Sequence, residues 1–236
     1  MKVLLEGPIL TSSGYGEHCK LVFRSIKDLP GLELSINPLN WGQTSWSHVM
    51  NDEREQIDQA VKMYSSEMNA AQSTNTPPDY AIQIHVGILN EFEKKAPYSV
   101  CVTAGIETDR VAPNWLSKSH QGVDKIIVPS EHAKSGFVDT KYEIINQTKN
   151  TKTVMDVGCP VEVVPYPVKN KESKHLDFKL DTDFNFVCVA LLGFRKNLEN
   201  LIKWFLEEFK EESVGLILKT GRGRGSIMDR EATKTH

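Results

Sequence analysis

An α/β fold built on a doubly wound, mostly parallel sheet is what this sequence predicts, and three observations predict it. Short apolar runs rich in Val, Ile and Leu recur at residues 2–5, 80–86, 98–103, 125–128 and 161–164, as in strands buried on both faces. Amphipathic or helix-prone segments separate most of them. Gly, Pro and Ser close the strands and open the helices, as in Gly7-Pro8 and Pro129-Ser130. Strands alternating with helices in this way belong to a parallel sheet with crossover connections.

Taken in order, residues 2–5 form a first strand closed by Gly7-Pro8, and the loop Thr11-Ser12-Ser13-Gly14-Tyr15-Gly16 follows. A helix over 18–29 places Leu21, Val22, Ser25 and Ile26 on one face before Pro30-Gly31 ends it. Residues 32–36 alternate as a second strand. The polar segment between Trp41 and Pro78 is helix-prone, with Ile57, Val61 and Tyr64 at helical spacing. A short charged helix over 90–95 joins the strands at 80–86 and 98–103. Ser130 is placed to cap the helix behind strand 125–128. The strand at 161–164 runs into Pro165-Tyr166-Pro167.

Residues 169–183 are polar and lack apolar periodicity, so they read as a linker between a domain spanning 1–168 and a second one from 184. There a strand at 184–192 precedes an amphipathic helix at 198–209, with Leu198, Leu201, Ile202, Phe205, Leu206 and Phe209 on one stripe. A strand at 214–218 leads into Gly221-Arg222-Gly223-Arg224-Gly225 and a charged segment that starts another helix. One βαβ unit cannot make a domain, so 184–236 is expected to be the truncated start of a second domain.

With 236 residues, 39% of them hydrophobic, the chain can bury one good core and reaches the size at which a second becomes plausible. A net charge of -3 supplies no global basic field, so nucleic acid is not an expected partner. Cys19, Cys101, Cys159 and Cys188 lie far apart without a C-x-x-C pair, which favours free thiols in a reducing compartment. The apolar start is too short for a signal peptide, and no stretch approaches the roughly 20 apolar residues that span a bilayer. A soluble cytoplasmic protein without an integral membrane segment is expected.

In an open α/β sheet, ligands bind beyond the carboxyl ends of the strands, so chemistry is sought in the loops there. Gly14 and Gly16 let backbone approach a ligand ahead of a helix N-terminus, with Tyr15 between them; a plain glycine turn is the alternative. The spacing is not the G-x-G-x-x-G dinucleotide fingerprint. Glu107, Asp109 and Arg110 end a central strand, where they could orient sugar hydroxyls or supply a general base, or else form an Asp109–Arg110 loop clamp. Arg195 and Lys196 precede a helix N-terminus, an unfavourable place for cations unless an anion binds; a solvated charge pair is the alternative. Lys219 follows strand 214–218 beside the same loops, and the glycine–arginine run after it is a further phosphate contact or a disordered loop. His85, near the end of strand 80–86, is either a ligand contact or a structural histidine. No zinc-ligand spacing or P-loop occurs.

These segments carry a family resemblance. Ser13-Gly14-Tyr15-Gly16, then Gly105-Ile106-Glu107-Thr108-Asp109-Arg110 with Trp115, then Val128-Pro129-Ser130-Glu131-His132 resemble the N-terminal domain of family-4-type glycosyltransferases of the GT-B fold. Val163-Val164-Pro165-Tyr166-Pro167 is similar to their approach to the interdomain crossover. Phe194-Arg195-Lys196-Asn197 and Leu218-Lys219-Thr220 resemble the start of their donor-binding domain. The resemblance implies two Rossmann-like domains and metal-independent transfer from a nucleotide diphosphate sugar, a co-substrate, with no cofactor. It implies a glycan, lipid or protein acceptor held by the N-terminal loops; the strand-end positions read above make Glu107 and Asp109 the candidate catalytic residues and Gly14, Tyr15, Gly16, His85 and Arg110 the candidate acceptor or sugar contacts. It assigns the donor diphosphate to Arg195, Lys196 and Lys219. Two features depart from it. Ala104-Gly105 stands where many relatives carry a histidine, and the paired-glutamate nucleotide motif is absent. A non-catalytic sugar- or phosphate-binding α/β module is the alternative.

Overall fold

The computed structural model describes residues 1–236 apart from 43, 48, 105, 147–150, 169, 171, 176, 178, 223–226 and 236. The chain divides into two compact units, 1–41 with 46–168, and 42–45 with 169–236.

The first unit is an α/β layer structure around a six-stranded, all-parallel sheet. Its strands are β1 (Lys2–Gly7), β2 (Glu33–Pro38), β3 (Ile82–Val86), β4 (Tyr98–Val102), β5 (Lys125–Val128) and, after a hairpin of β6 (Tyr142–Asn146) with β7 (Thr151–Met155), β8 (Val161–Val163). They lie in the order β2-β1-β3-β4-β5-β8. The connecting helices are α1 (Gly14–Ile26), α2 (Asp52–Thr74), α3 (Pro113–Ser119) and α4 (Glu131–Val138). Two apolar layers hold it together. One joins Leu5, Ile36, Val86 and Val102 to Cys19 and Phe23 of α1 and Ile57 of α2. The other joins Cys101, Ile126 and Val128 to Phe92, Leu116 and Phe137.

Ser130 caps α4 as expected, its Oγ accepting from Ala133 N at 3.2 Å. The sheet-facing stripe of α1 is Gly16, Cys19 and Phe23; of the expected face, Ser25 is exposed and Leu21, Val22 and Ile26 are only half-buried. The helix begins earlier than the apolar pattern, because the Ser13 side chain caps it at Gly16 N. Instead of a charged helix at 90–95 there is a single 3-10 turn, Leu89–Glu91. Beyond it Glu93 O accepts from Gln83 Nε2 at 2.8 Å and Lys95 N donates to Gln83 Oε1 at 2.8 Å, so a side chain takes the backbone groups a helix would use. The β6–β7 hairpin escaped the sequence pattern because Ile144 and Ile145 adjoin and break the alternation; both are exposed.

A buried polar network crosses the sheet beneath these elements. Glu6, 3% exposed, accepts from Asn37 Nδ2 at 2.7 Å, Gln83 Nε2 at 2.5 Å and Lys95 Nζ at 2.6 Å. Burial pulls the Lys95 amine down, but its hydrogen bond to the Glu6 carboxylate and that charge outweigh burial and leave it raised.

In the second unit β9 (Phe184–Val189) and β10 (Val214–Lys219) pair in parallel. Helix α5 (Leu198–Phe209) packs Phe205 and Phe209 on Phe186, with ring centroids 6.1 and 5.3 Å away. A last helix, α6, spans Ile227–Lys234. All four cysteines are free thiols. No helix among the described residues is long and apolar enough to cross a membrane.

Candidate functional site

In the first unit, chain order reverses between β1 and β3: β2 lies on one side of β1 and β3 on the other. The carboxyl ends of those two strands therefore border the crevice where an open parallel sheet takes its ligand. The β1–α1 loop forms one wall. Thr11 Oγ1 donates to Pro8 O at 2.8 Å and shares a hydrogen bond with Ser13 Oγ at 2.7 Å. Ser13 Oγ in turn accepts from Gly16 N at 2.9 Å. The two glycines serve differently. A Cβ on Gly16 would lie 2.3 Å from Thr11 O, so its bare backbone is filled by the loop itself, whereas Gly14 faces open space.

Tyr15 reaches across the end of β3 to β4. Its hydroxyl lies 2.9 Å from Thr103 Oγ1 and accepts from Ala104 N at 3.1 Å, which leaves its own proton for Thr103. Its ring lies against Trp41, centroids 4.5 Å apart at 44°. Three residues on from Tyr15, His18 is 8% exposed, meets Tyr166 edge-on at 4.8 Å, and its Nδ1 has no hydrogen-bond partner among the described residues. Burial lowers its pKa to about 4, so it is neutral near pH 7. Sequence pattern alone singles out neither His18 nor Trp41; the i, i+3 spacing of Tyr15 and His18 on one helix is the signal that could find His18, and no local signal marks Trp41.

The other expected residues are distributed as follows. His85 stands near the end of β3 but is 2% exposed, beneath Phe92 with centroids 6.0 Å apart, so the structure places it under the crevice and not on its surface. Burial lowers its pKa, against the opposing pull of Glu6. Its Nε2 also lacks a partner among the described residues. Glu107, Asp109 and Arg110 occupy an exposed bend closed by Thr108 Oγ1 donating to Arg110 O at 2.7 Å. Among the described residues Asp109 and Arg110 form no ion pair, so the loop clamp is not made. Gly105 lies outside the described residues. Trp115 is half-buried and packs against the core, 5.8 Å from Phe137.

In the second unit Arg195 and Lys196 form a 3-10 turn, Phe194–Lys196, directly before α5. Asn197 then takes a left-handed conformation, φ 52°, and gives α5 no side-chain cap. Against this uncapped N-terminus lies a cavity of about 530 Å³ bordered by Gly193, Phe194, Asn197, Asn200 and two oppositely charged side chains, Glu199 and Arg222. Arg195 and Lys196 are exposed outside that lining, and Lys219 is exposed at the end of β10. The cation that lines it, Arg222, comes from the glycine–arginine run; Gly223, Arg224 and Gly225 lie outside the described residues. Leu192 N donates to Gly221 O at 2.9 Å and ties that loop to the end of β9. No known protein family matches this chain, and no curated protein does.

Proposed function

We propose that the chain takes part in sugar transfer from a nucleotide diphosphate sugar, as a protein of GT-B type. The observation that carries the reading is the cavity at the N-terminus of α5. That helix start has no side-chain cap, its peptide dipoles favour an anion, and Arg222 lines the space with Arg195 and Lys196 on the adjoining turn. A diphosphate satisfies all of these at once, since an arginine fork and a lysine point charge both suit phosphate oxygens. On this reading Arg195, Lys196, Lys219 and Arg222 neutralise the departing diphosphate, while Tyr15, Glu107, Asp109 and Arg110 on the first unit's strand-end loops serve the acceptor.

Calorimetry with UDP and GDP tests it. Each charge-assisted hydrogen bond contributes about 1.5–3 kcal/mol, so Arg222→Ala, and the pair Arg195→Ala with Lys196→Ala, should each weaken binding at least tenfold. Binding of neither nucleotide, or affinity indifferent to both substitutions, overturns the assignment.

A further inference from the structure

We propose that a second cavity, between α1 and the start of α2, is a binding site for a neutral polyhydroxylated ligand of about one pyranose ring. It is independent of the nucleotide reading. The cavity measures about 210 Å³, the share of about seven waters and the scale of one sugar ring. Its floor is apolar and buried: Ile9, Leu10 and Ile57. One wall is fixed by main-chain pairing, Ser47 N donating to Leu10 O at 2.7 Å beside an isolated bridge between Thr11 and Trp46.

The remaining lining is Val49, Asn51 and a set of charged side chains, and every cation among them is already hydrogen-bonded. Lys20 Nζ donates to Glu17 Oε1 at 2.7 Å. Arg24 forks onto Glu53, its Nη2 donating to Oε2 at 2.7 Å and its Nε to Oε1. Arg54 donates through Nε to Asp58 Oδ1 at 2.8 Å and through Nη1 to Ser47 O at 2.9 Å. These cations are mostly desolvated, with Lys20 only 11% and Arg54 only 21% exposed.

The pairing decides the ligand class. Each of the three cations is already paired with a carboxylate, Lys20 with Glu17, Arg24 with Glu53 and Arg54 with Asp58, so the lining offers an anion no uncompensated positive charge. A hydroxyl accepts from a guanidinium or ammonium and donates to a carboxylate, so a polyol uses both kinds of wall at once. Its C–H face then lies on Ile9, Leu10 and Ile57. A purely apolar ligand would strand the charges without water.

The test is a titration of the full ¹⁵N-labelled chain with methyl α-glucopyranoside, methyl α-mannopyranoside and methyl α-galactopyranoside, and separately with inorganic phosphate. At least one glycoside should give saturable shifts at the amides of Leu10, Ser47 and Asn51, with Kd on the order of 1 mM, while phosphate gives none. Arg24→Leu should weaken that binding about tenfold. Should that variant fail to fold, Glu17→Gln alters a 59% exposed carboxylate and should weaken it too. No saturation with any of the three glycosides, saturation by phosphate, or unchanged affinity in Glu17→Gln overturns the proposal.

Discussion

His18→Phe should make the protein markedly more resistant to acid, and the magnitude follows from burial. In the folded protein His18 is neutral, 8% exposed, with its pKa lowered to about 4 by burial alone. In the unfolded chain the imidazole returns to its ordinary value near 6.5. Between those values the unfolded state binds a proton that the folded state refuses, so stability falls as pH drops through that window. By about pH 4 the loss reaches about 3 kcal/mol, and above about pH 7.5 it vanishes. Phenylalanine keeps a ring against Tyr166 and removes the titration. Urea unfolding of both proteins, followed by far-ultraviolet circular dichroism from about pH 7.5 to pH 4, should give curves that separate progressively towards acid. The buried His85 acts in the same direction in both proteins and cancels in the comparison. If His18→Phe loses stability as steeply as wild type, the imidazole is not held neutral and the reasoning fails.

Three further outcomes are expected. Lys95→Met leaves Glu6 a buried carboxylate without its cation and should cost about 3–5 kcal/mol in urea unfolding near neutral pH; adding Glu6→Gln should recover part of it. Gly16→Ala sets a Cβ 2.3 Å from Thr11 O, so the 8–11 loop must shift, and thermal melting should report a loss of about 1–3 kcal/mol. Tyr15→Phe removes the acceptor for Ala104 N and the partner of Thr103, at about 1–3 kcal/mol; hydrogen exchange at Ala104 should quicken while β1 and β4 stay protected.

What the sequence determined by itself is the part that rests on period and punctuation. Buried parallel strands announce themselves as short runs of Val, Ile and Leu, so β1, β3, β4, β5 and β8 were legible. So was α5, whose Leu198 to Phe209 stripe repeats at helical spacing over its full length. Ser130 was readable as a cap because a capping side chain acts on backbone only three residues away. The tertiary structure decided whatever depends on partners distant in sequence. Gln83 takes the backbone groups of Glu93 and Lys95, so a locally helix-prone stretch stays non-helical. The crevice is legible as a set of strand-end loops with Tyr15 among them, but not in the contacts its side chains make. Tyr15 acquires its position from Thr103 and Ala104, about ninety residues on, and His85 loses access to solvent under Phe92. Arg222 lines the second unit's cavity from a loop that a hydrogen bond between Leu192 N and Gly221 O ties to the end of β9. Local propensity reaches a few residues along the chain, whereas burial and hydrogen-bond satisfaction are settled by whatever the fold brings alongside.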